Sequence, residues 1–315
     1  MDKSKKIRGD RSGVSTLLIA IVIIIIVVII AVAAYVLLSG NNNNNNEETL
    51  APGTTMTYDV TDNEVAVGTV EQTIIGQSST VYFIESKLIG DTSVTQYSTS
   101  DKAMPKDAQK TGTEELDTFE GTKTLEVWDF TITDSPYGTQ TVTTWMDPDN
   151  GVQYKNIVVY TDPTSTTGAQ ITEVQILTAY DLVWQTSYNV SDSVGKTYDY
   201  AYTVGAISLP AKIVCVADCL NDQYGIMFDF TEIAANLEEY YLSDNPQGLP
   251  TDAVDSGTTT DLTNTIDGNV TVEIWSLNLG YEVYTFYYDP DTHVIYAFIL
   301  TAEGIDIPFE LVSKS

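Results

Sequence analysis

The feature that most restricts this chain is an internal duplication. Gly53 precedes Thr57-Tyr58-Asp59, and Gly195 precedes Thr197-Tyr198-Asp199. Leu125-Glu126-Val127-Trp128 pairs with Val272-Glu273-Ile274-Trp275. Trp145-Met146-Asp147-Pro148-Asp149 pairs with Tyr287-Tyr288-Asp289-Pro290-Asp291. The pairs run in the same order at offsets of 140, 147 and 142 residues, which loop insertions explain. A period this long marks two tandem domains and not a solenoid. Repeat 1 is expected over residues 53–190 and repeat 2 over 191–315.

Both halves read as antiparallel β. Ile305, Ile307, Phe309 and Leu311 alternate with Asp306, Pro308 and Glu310, the pattern of a half-buried strand whose proline points to a sheet edge. Val294, Tyr296, Phe298 and Leu300 alternate likewise. The segments 147–151 and 289–292 each lie between two such runs, so each is expected to be a hairpin turn. One stretch breaks the pattern. From Thr231 to Leu242, Ile233, Leu237 and Tyr240/Tyr241 fall at helical spacing, with Thr231 as cap and Asn245-Pro246 as stop. A poorer counterpart lies near 101–120.

The amino-terminal part is of another kind. Positions 17–38 contain no charged or strongly polar residue. As a helix they rise about 33 Å, enough for a hydrocarbon core of about 30 Å. The run exceeds a signal-peptide core of about 7–15 residues, so a retained anchor is expected. Lys3, Lys5, Lys6, Arg8 and Arg11 precede it, which places the N-terminus in the cytoplasm and the bulk outside. The expected order is a basic tail over 1–13, a transmembrane helix over 14–38 in the lipid bilayer, an Asn-rich linker over 39–52, and then the repeats. The expected fold class is thus a single N-terminal transmembrane helix plus a mainly-β (β-rich α+β) ectodomain. That ectodomain holds two tandem antiparallel curved-sheet repeats, with one helix allowed in each.

Charge and composition exclude several functions. The net charge is −30, and residues 39–315 hold 42 acidic side chains against nine basic ones. Such a surface does not bind nucleic acid by neutralising phosphates. One His and two Cys exclude zinc fingers and multi-His metal sites, and no cofactor motif is present.

The segment KKIRGDRSGVSTLLIAIVIIIIVVIIAVAAYVLL resembles the N-terminus of archaeal membrane-anchored surface proteins and archaeal type IV pilin-like proteins. It departs from pilins in having no acidic residue just inside the apolar run and in passing directly into Asn41–Asn46. The glycine-led openings and the Trp/Tyr-x-Asp-Pro hairpins resemble lipoprotein-carrier-type half-barrels, which implies a curved sheet and no particular ligand.

Cys215 and Cys219 either form a local disulfide, which needs a bend at 216–218, or remain two buried thiols, because an extended strand holds them about 13 Å apart. Asn189 and Asn269 lie in glycosylation sequons. Trp128, Trp145, Trp275 and Tyr288 form either an aromatic binding surface or sheet core. His293 reads as a turn residue, standing where repeat 1 has Gly151 or its neighbour. Asp147, Asp149 and Asn150 lack an EF-hand pattern and read as a turn. With acids so abundant, no carboxylate pair stands out as a glycosidase site. The expected function is a non-enzymatic membrane-anchored surface protein that binds a ligand, a cell-surface glycan or a partner protein. The alternatives are a pilin-like or envelope structural subunit and a surface hydrolase using acidic residues.

Overall fold

The computed structural model describes residues 49–90, 95–101, 105, 108–132, 139–161, 168–185, 191–204, 207–233, 238–279, 282–302 and 304–315. Repeat 1 holds β1 (Thr49–Leu50), β2 (Thr55–Asp62), β3 (Val65–Gln77), β4 (Val81–Leu88), β5 (Thr95–Asp101), β6 (Gln109–Thr118), β7 (Gly121–Ile132), β8 (Gln140–Met146), β9 (Gln153–Thr161), β10 (Gln170–Asp181) and β11 (Trp184–Gln185). Repeat 2 holds β12 (Thr197–Val204), β13 (Ile207–Asp218), β14 (Tyr224–Asp229), β15 (Glu238–Ser243), β16 (Val254–Thr265), β17 (Gly268–Asn278), β18 (Glu282–Asp289), β19 (Val294–Ala302) and β20 (Ile305–Lys314).

Two nine-stranded antiparallel sheets result. Their orders are β5-β4-β3-β2-β10-β9-β8-β7-β6 and β15-β14-β13-β12-β20-β19-β18-β17-β16. Adding ten to each strand of the first sheet gives the second, so the duplication is a duplication of topology. Each sheet is a meander broken once, where the chain passes from one edge strand (β5 or β15) to the other (β6 or β16). The short β1–β11 pair ties the start of repeat 1 to its end.

Local chemistry sets the turns. Asn63 and Glu64 have φ of 47° and 69°, the left-handed pair that a two-residue hairpin between β2 and β3 needs. In the β8–β9 turn Asp147 Oδ1 accepts from the Asp149 amide at 3.0 Å, and in the β18–β19 turn Asp289 Oδ1 accepts from the Asp291 amide at 2.9 Å. His293 has φ 60° where Gly151 has φ 62°. The imidazole therefore occupies a backbone site suited to glycine, and the Tyr288 hydroxyl meets its Nδ1 at 2.7 Å.

The register refines one of the sequence matches. Tyr58 faces Leu177 and Val70, while Tyr200 faces Leu311 and Ala211. The equivalent of Tyr58 is thus Tyr200, not Tyr198, and Gly53 and Gly195 keep the same spacing to them.

Other expectations are corrected. The described residues are all β and not α+β: the only helical element among them is a 3-10 turn at Leu220–Asp222. The helix expected over 231–242 is instead a turn at 231–233 and strand β15, which pairs along the whole of β14. A helix of about 12 residues is marginal alone, and Glu-Glu-Tyr-Tyr-Leu-Ser gains a full ladder as a strand. The counterpart expected near 101–120 is strand β6 over much of its length. Pro308 is not on an edge strand, since β20 lies between β12 and β19. At Pro308 the pairing runs to Ile299 of β19, and β12 joins only from Glu310 onward. The proline therefore removes no ladder donor on the β12 side. The tail, the expected transmembrane helix over 14–38 and most of the linker lie outside the described residues. Among the described residues no helix is long and apolar enough to cross a membrane. The described residues begin at Thr49, and Leu50 and Ala51 are already buried.

The repeats contact each other through equivalent strands, β3 with β13 and β5 with β15. Ile75, Val81, Phe83, Ala217 and Leu242 form the buried cluster between them. Two glycines allow the close approach. A Cβ on Gly76 would sit 2.3 Å from Cys219 Sγ, and one on Gly225 2.3 Å from the Phe83 ring.

Candidate functional site

The residues singled out in the sequence scatter. Trp145 and Tyr288 are buried, while Trp128 and Trp275 are half-buried on equivalent strands of separate sheets. Each of these last two indoles donates to the glutamate two residues earlier, Trp128 to Glu126 at 3.1 Å and Trp275 to Glu273 at 3.0 Å. The Trp145 indole donates to Glu114 at 2.8 Å and lies 4.4 Å beneath the Lys155 ammonium. Only Trp275 and Tyr288 meet, edge to face with centroids 6.1 Å apart. Cys215 and Cys219 are free thiols at the end of β13, and burial pushes them up to about 11 and about 12, far from thiolate chemistry at neutral pH. Asn269 is exposed on β17, and Asn189 lies outside the described residues.

A duplicated latch holds the β6–β7 and β16–β17 hairpins down. Glu120, at the first hairpin tip, accepts from the Tyr180 hydroxyl at 2.7 Å and from the Tyr154 hydroxyl, and pairs with Lys123 at 3.1 Å. Asp267 at the second tip accepts from Tyr296 at 2.7 Å and from Lys314 at 2.5 Å. The Tyr154 hydrogen bond, followed by that from Tyr180, holds Glu120 down at about 2. The Lys314 bond, followed by that from Tyr296, lowers Asp267. A depressed carboxylate stabilises the fold above its unfolded value, and that contribution is lost as pH falls through the folded value. Acid unfolding should therefore steepen below pH 4.5, Glu120's ordinary value, down toward about 2. The double variant Glu120→Gln/Asp267→Asn should flatten that limb in a pH titration of unfolding. Both acids are exposed, so the effect is modest and screened by salt. The latch occurs in both repeats and is structural.

What differs between the repeats is the interior. Thr144 Oγ1 donates to Asn156 Oδ1 at 2.6 Å, and Asn156 Nδ2 donates to Gln175 Oε1 at 3.3 Å. These three are direct register neighbours on β8, β9 and β10, and all are completely buried. The same register positions on β18, β19 and β20 hold Phe286, Phe298 and Phe309. The facing pair Gln72 and Ser86 corresponds to Ile213 and Phe228. Repeat 2 thus packs one continuous aromatic core, with Phe298 stacked on Phe309 at 4.8 Å and beside Tyr200 at 5.1 Å. In repeat 1 hydrogen-bonding side chains stand in those places, and its apolar clusters are separate and smaller.

A small cleft opens between the repeats where β5 meets β15. Its volume is about 60 Å³. Phe83 and Tyr97 come from repeat 1, and Tyr240, Tyr241 and Leu242 come from β15, with Asp252 at its border. Phe83 and Tyr240 meet edge to face at 6.5 Å. The Tyr240 hydroxyl donates to Glu238 at 2.6 Å and lies 3.2 Å from Thr80 Oγ1 of the other repeat. Tyr241 donates to Glu239. Burial raises the Tyr97 phenol, and the carboxylates of Glu85, Asp244 and Asp252 raise it further against the opposing field of Lys87. The cleft is therefore aromatic in its walls and negative in its field. Sequence reasoning missed it because its residues come from four separated segments.

No family model matches the chain, and no curated protein matches it. Among solved structures, the chain is similar to the crystal structure of MucB in complex with MucA(peri), at 10% identity and a TM-score of 0.25, over 84% of this chain and 89% of that one.

Proposed function

We propose that this chain is a membrane-anchored surface protein that binds a basic segment of a neighbouring protein in the cleft between its repeats. The carrying observation is the cleft: Phe83, Tyr97, Tyr240 and Tyr241 surround a cavity beside Asp252, in a field dominated by carboxylates. An ammonium or guanidinium over such rings gains about 0.5–2 kcal/mol. The volume suits the tip of one side chain and is far below the roughly 300 Å³ of a small-molecule pocket. The 42 acids outside the first 38 residues steer cations toward the surface. The apolar run 17–38 and the basic residues before it support an anchored chain with its repeats outside the cell. The polyasparagine tract then keeps the repeats near the bilayer, at a reach of about 12–20 Å.

The test uses the full chain in detergent micelles and a fluorescent lysine-rich peptide, at about 150 mM salt to screen the general surface. Tyr240→Ala combined with Asp252→Asn should weaken binding about tenfold or more, a loss of about 1.4 kcal/mol. A control variant, Asp149→Asn, removes one charge from an exposed turn. If the cleft variant loses no more affinity than the control, the peptide is held by diffuse charge and the reading fails.

A further inference from the structure

Glu173 on β10 and Asp62 on β2 are direct register partners. Such facing residues have Cβ atoms about 4.5–5.5 Å apart. Glu173 is completely buried, and one of its carboxylate oxygens accepts from the Gln175 side-chain amide. Its other oxygen, Oε2, and Oδ1 of Asp62 are both buried and have no hydrogen-bond partner among the described residues. None of the ion pairs among the described residues involves either acid. Gln175 is itself held by Asn156, and Asn156 by Thr144, so the ladder that replaces the aromatic core of repeat 2 ends on this carboxyl pair. Repeat 2 has Ile307 in the place of Glu173 and Val204 in the place of Asp62. The fold therefore does not require acids here.

Once both are ionised, the buried Glu173 carboxylate and the half-buried Asp62 carboxylate opposite it repel, and each buried unpaired oxygen bears the cost of lost hydration. A hard cation between them removes both penalties. Two negative charges suit a divalent ion. Carboxylate oxygens at about 2.3–2.6 Å, with water filling the remaining positions, suit the flexible shell of calcium better than the strict octahedron of magnesium. Asp62 is only half-buried and leads into the exposed turn at Asn63 and Glu64, which gives an entry path.

We propose that Glu173 Oε2 and Asp62 Oδ1 bind a calcium-class cation inside repeat 1, at the β2–β10 ladder. This site is separate from the cleft and does not depend on it.

The experiment strips the full chain in detergent micelles with a chelator and titrates calcium by calorimetry and thermal unfolding. About 150 mM sodium chloride screens the surface acids. The wild type should show one saturable site and a calcium-dependent rise in unfolding temperature. Glu173→Ile, which installs the repeat 2 residue, should lose both, and Asp62→Asn should bind at least tenfold more weakly. The proposal is overturned if the wild type shows no calcium-dependent shift. It is equally overturned if Glu173→Ile keeps the wild-type shift, the outcome for calcium held only by surface acids. If Glu173→Ile does not fold, Asp62→Asn decides, and an unchanged affinity rejects the site.

Discussion

Phe298→Ala is expected to remove about 3–5 kcal/mol of stability, measured by urea or thermal unfolding of the repeat 2 transition. Phe298 is 1% exposed and sits among Tyr200, Phe228, Phe230, Tyr284, Phe286 and Phe309, with ring centroids between 4.8 and 6.5 Å away. Truncation removes the ring from the centre of the only continuous aromatic core among the described residues, and neighbours relax only partially into such a space. The equivalent change in repeat 1, Asn156→Ala, removes no aromatic surface. It removes the acceptor of the 2.6 Å Thr144 bond and the Nδ2 donor to Gln175, at a cost of about 1–3 kcal/mol. Equal losses at the two positions would mean that the two interiors do not differ as described.

Glu173→Gln is expected to stabilise the chelator-treated protein at alkaline pH. Burial pushes Glu173 up to about 8, from 4.5, with Asp62 opposite adding to the rise and Gln175 opposing it. A carboxyl group raised in the folded state contributes stability that is present below its unfolded value and is lost as pH rises through the folded value. The wild type should therefore weaken from pH 4.5 up to about 8, while Glu173→Gln does not. The gain should be nil near the lower end and on the order of a few kcal/mol above the upper end. The variant also keeps an acceptor for the Gln175 amide. Adding calcium should shrink the gain, because the ion stabilises only the wild type. A flat difference between the two proteins across that range would show that Glu173 does not titrate in a buried site.

Much of the architecture was legible in the sequence because the duplication repeats its turns. Turn residues act locally: the Asp-Pro-Asp hairpins form in both halves, and His293 does take the place of Gly151. The alternation around Val294–Leu300 and Ile305–Leu311 located β19 and β20. Long-range choices were less legible. The segment from Thr231 has helical spacing, but Glu238–Ser243 gains more from pairing with β14 than from a short isolated helix. Pro308 lies in the part of β20 before Glu310, which pairs with β19 and not with β12, and local sequence does not show how far β12 reaches.

The chemistry was hidden for a different reason. Glu173 is one acid among 42, and Thr144, Asn156 and Gln175 each look like ordinary residues of a polar strand face. Their meaning appears only when the repeats are compared position by position, with Phe286, Phe298 and Phe309 on the other side of the comparison. An alignment of the two halves that scored burial and not identity would have exposed it. The cleft had no such signal, since Phe83, Tyr97, Tyr240 and Asp252 become neighbours only when the repeats meet.

The central claim is that one fold, used twice, is filled by a continuous aromatic core in repeat 2 and by a buried hydrogen-bonded polar ladder in repeat 1. Hydrogen exchange on the full chain in chelator, read by mass spectrometry over the equivalent strands β9 and β19, tests it most directly. Exchange protection reports the free energy of opening, strand by strand. The account predicts that amides of Val294–Ala302 stay protected markedly longer than those of Gln153–Thr161. Equal protection, or longer protection in β9, would contradict it.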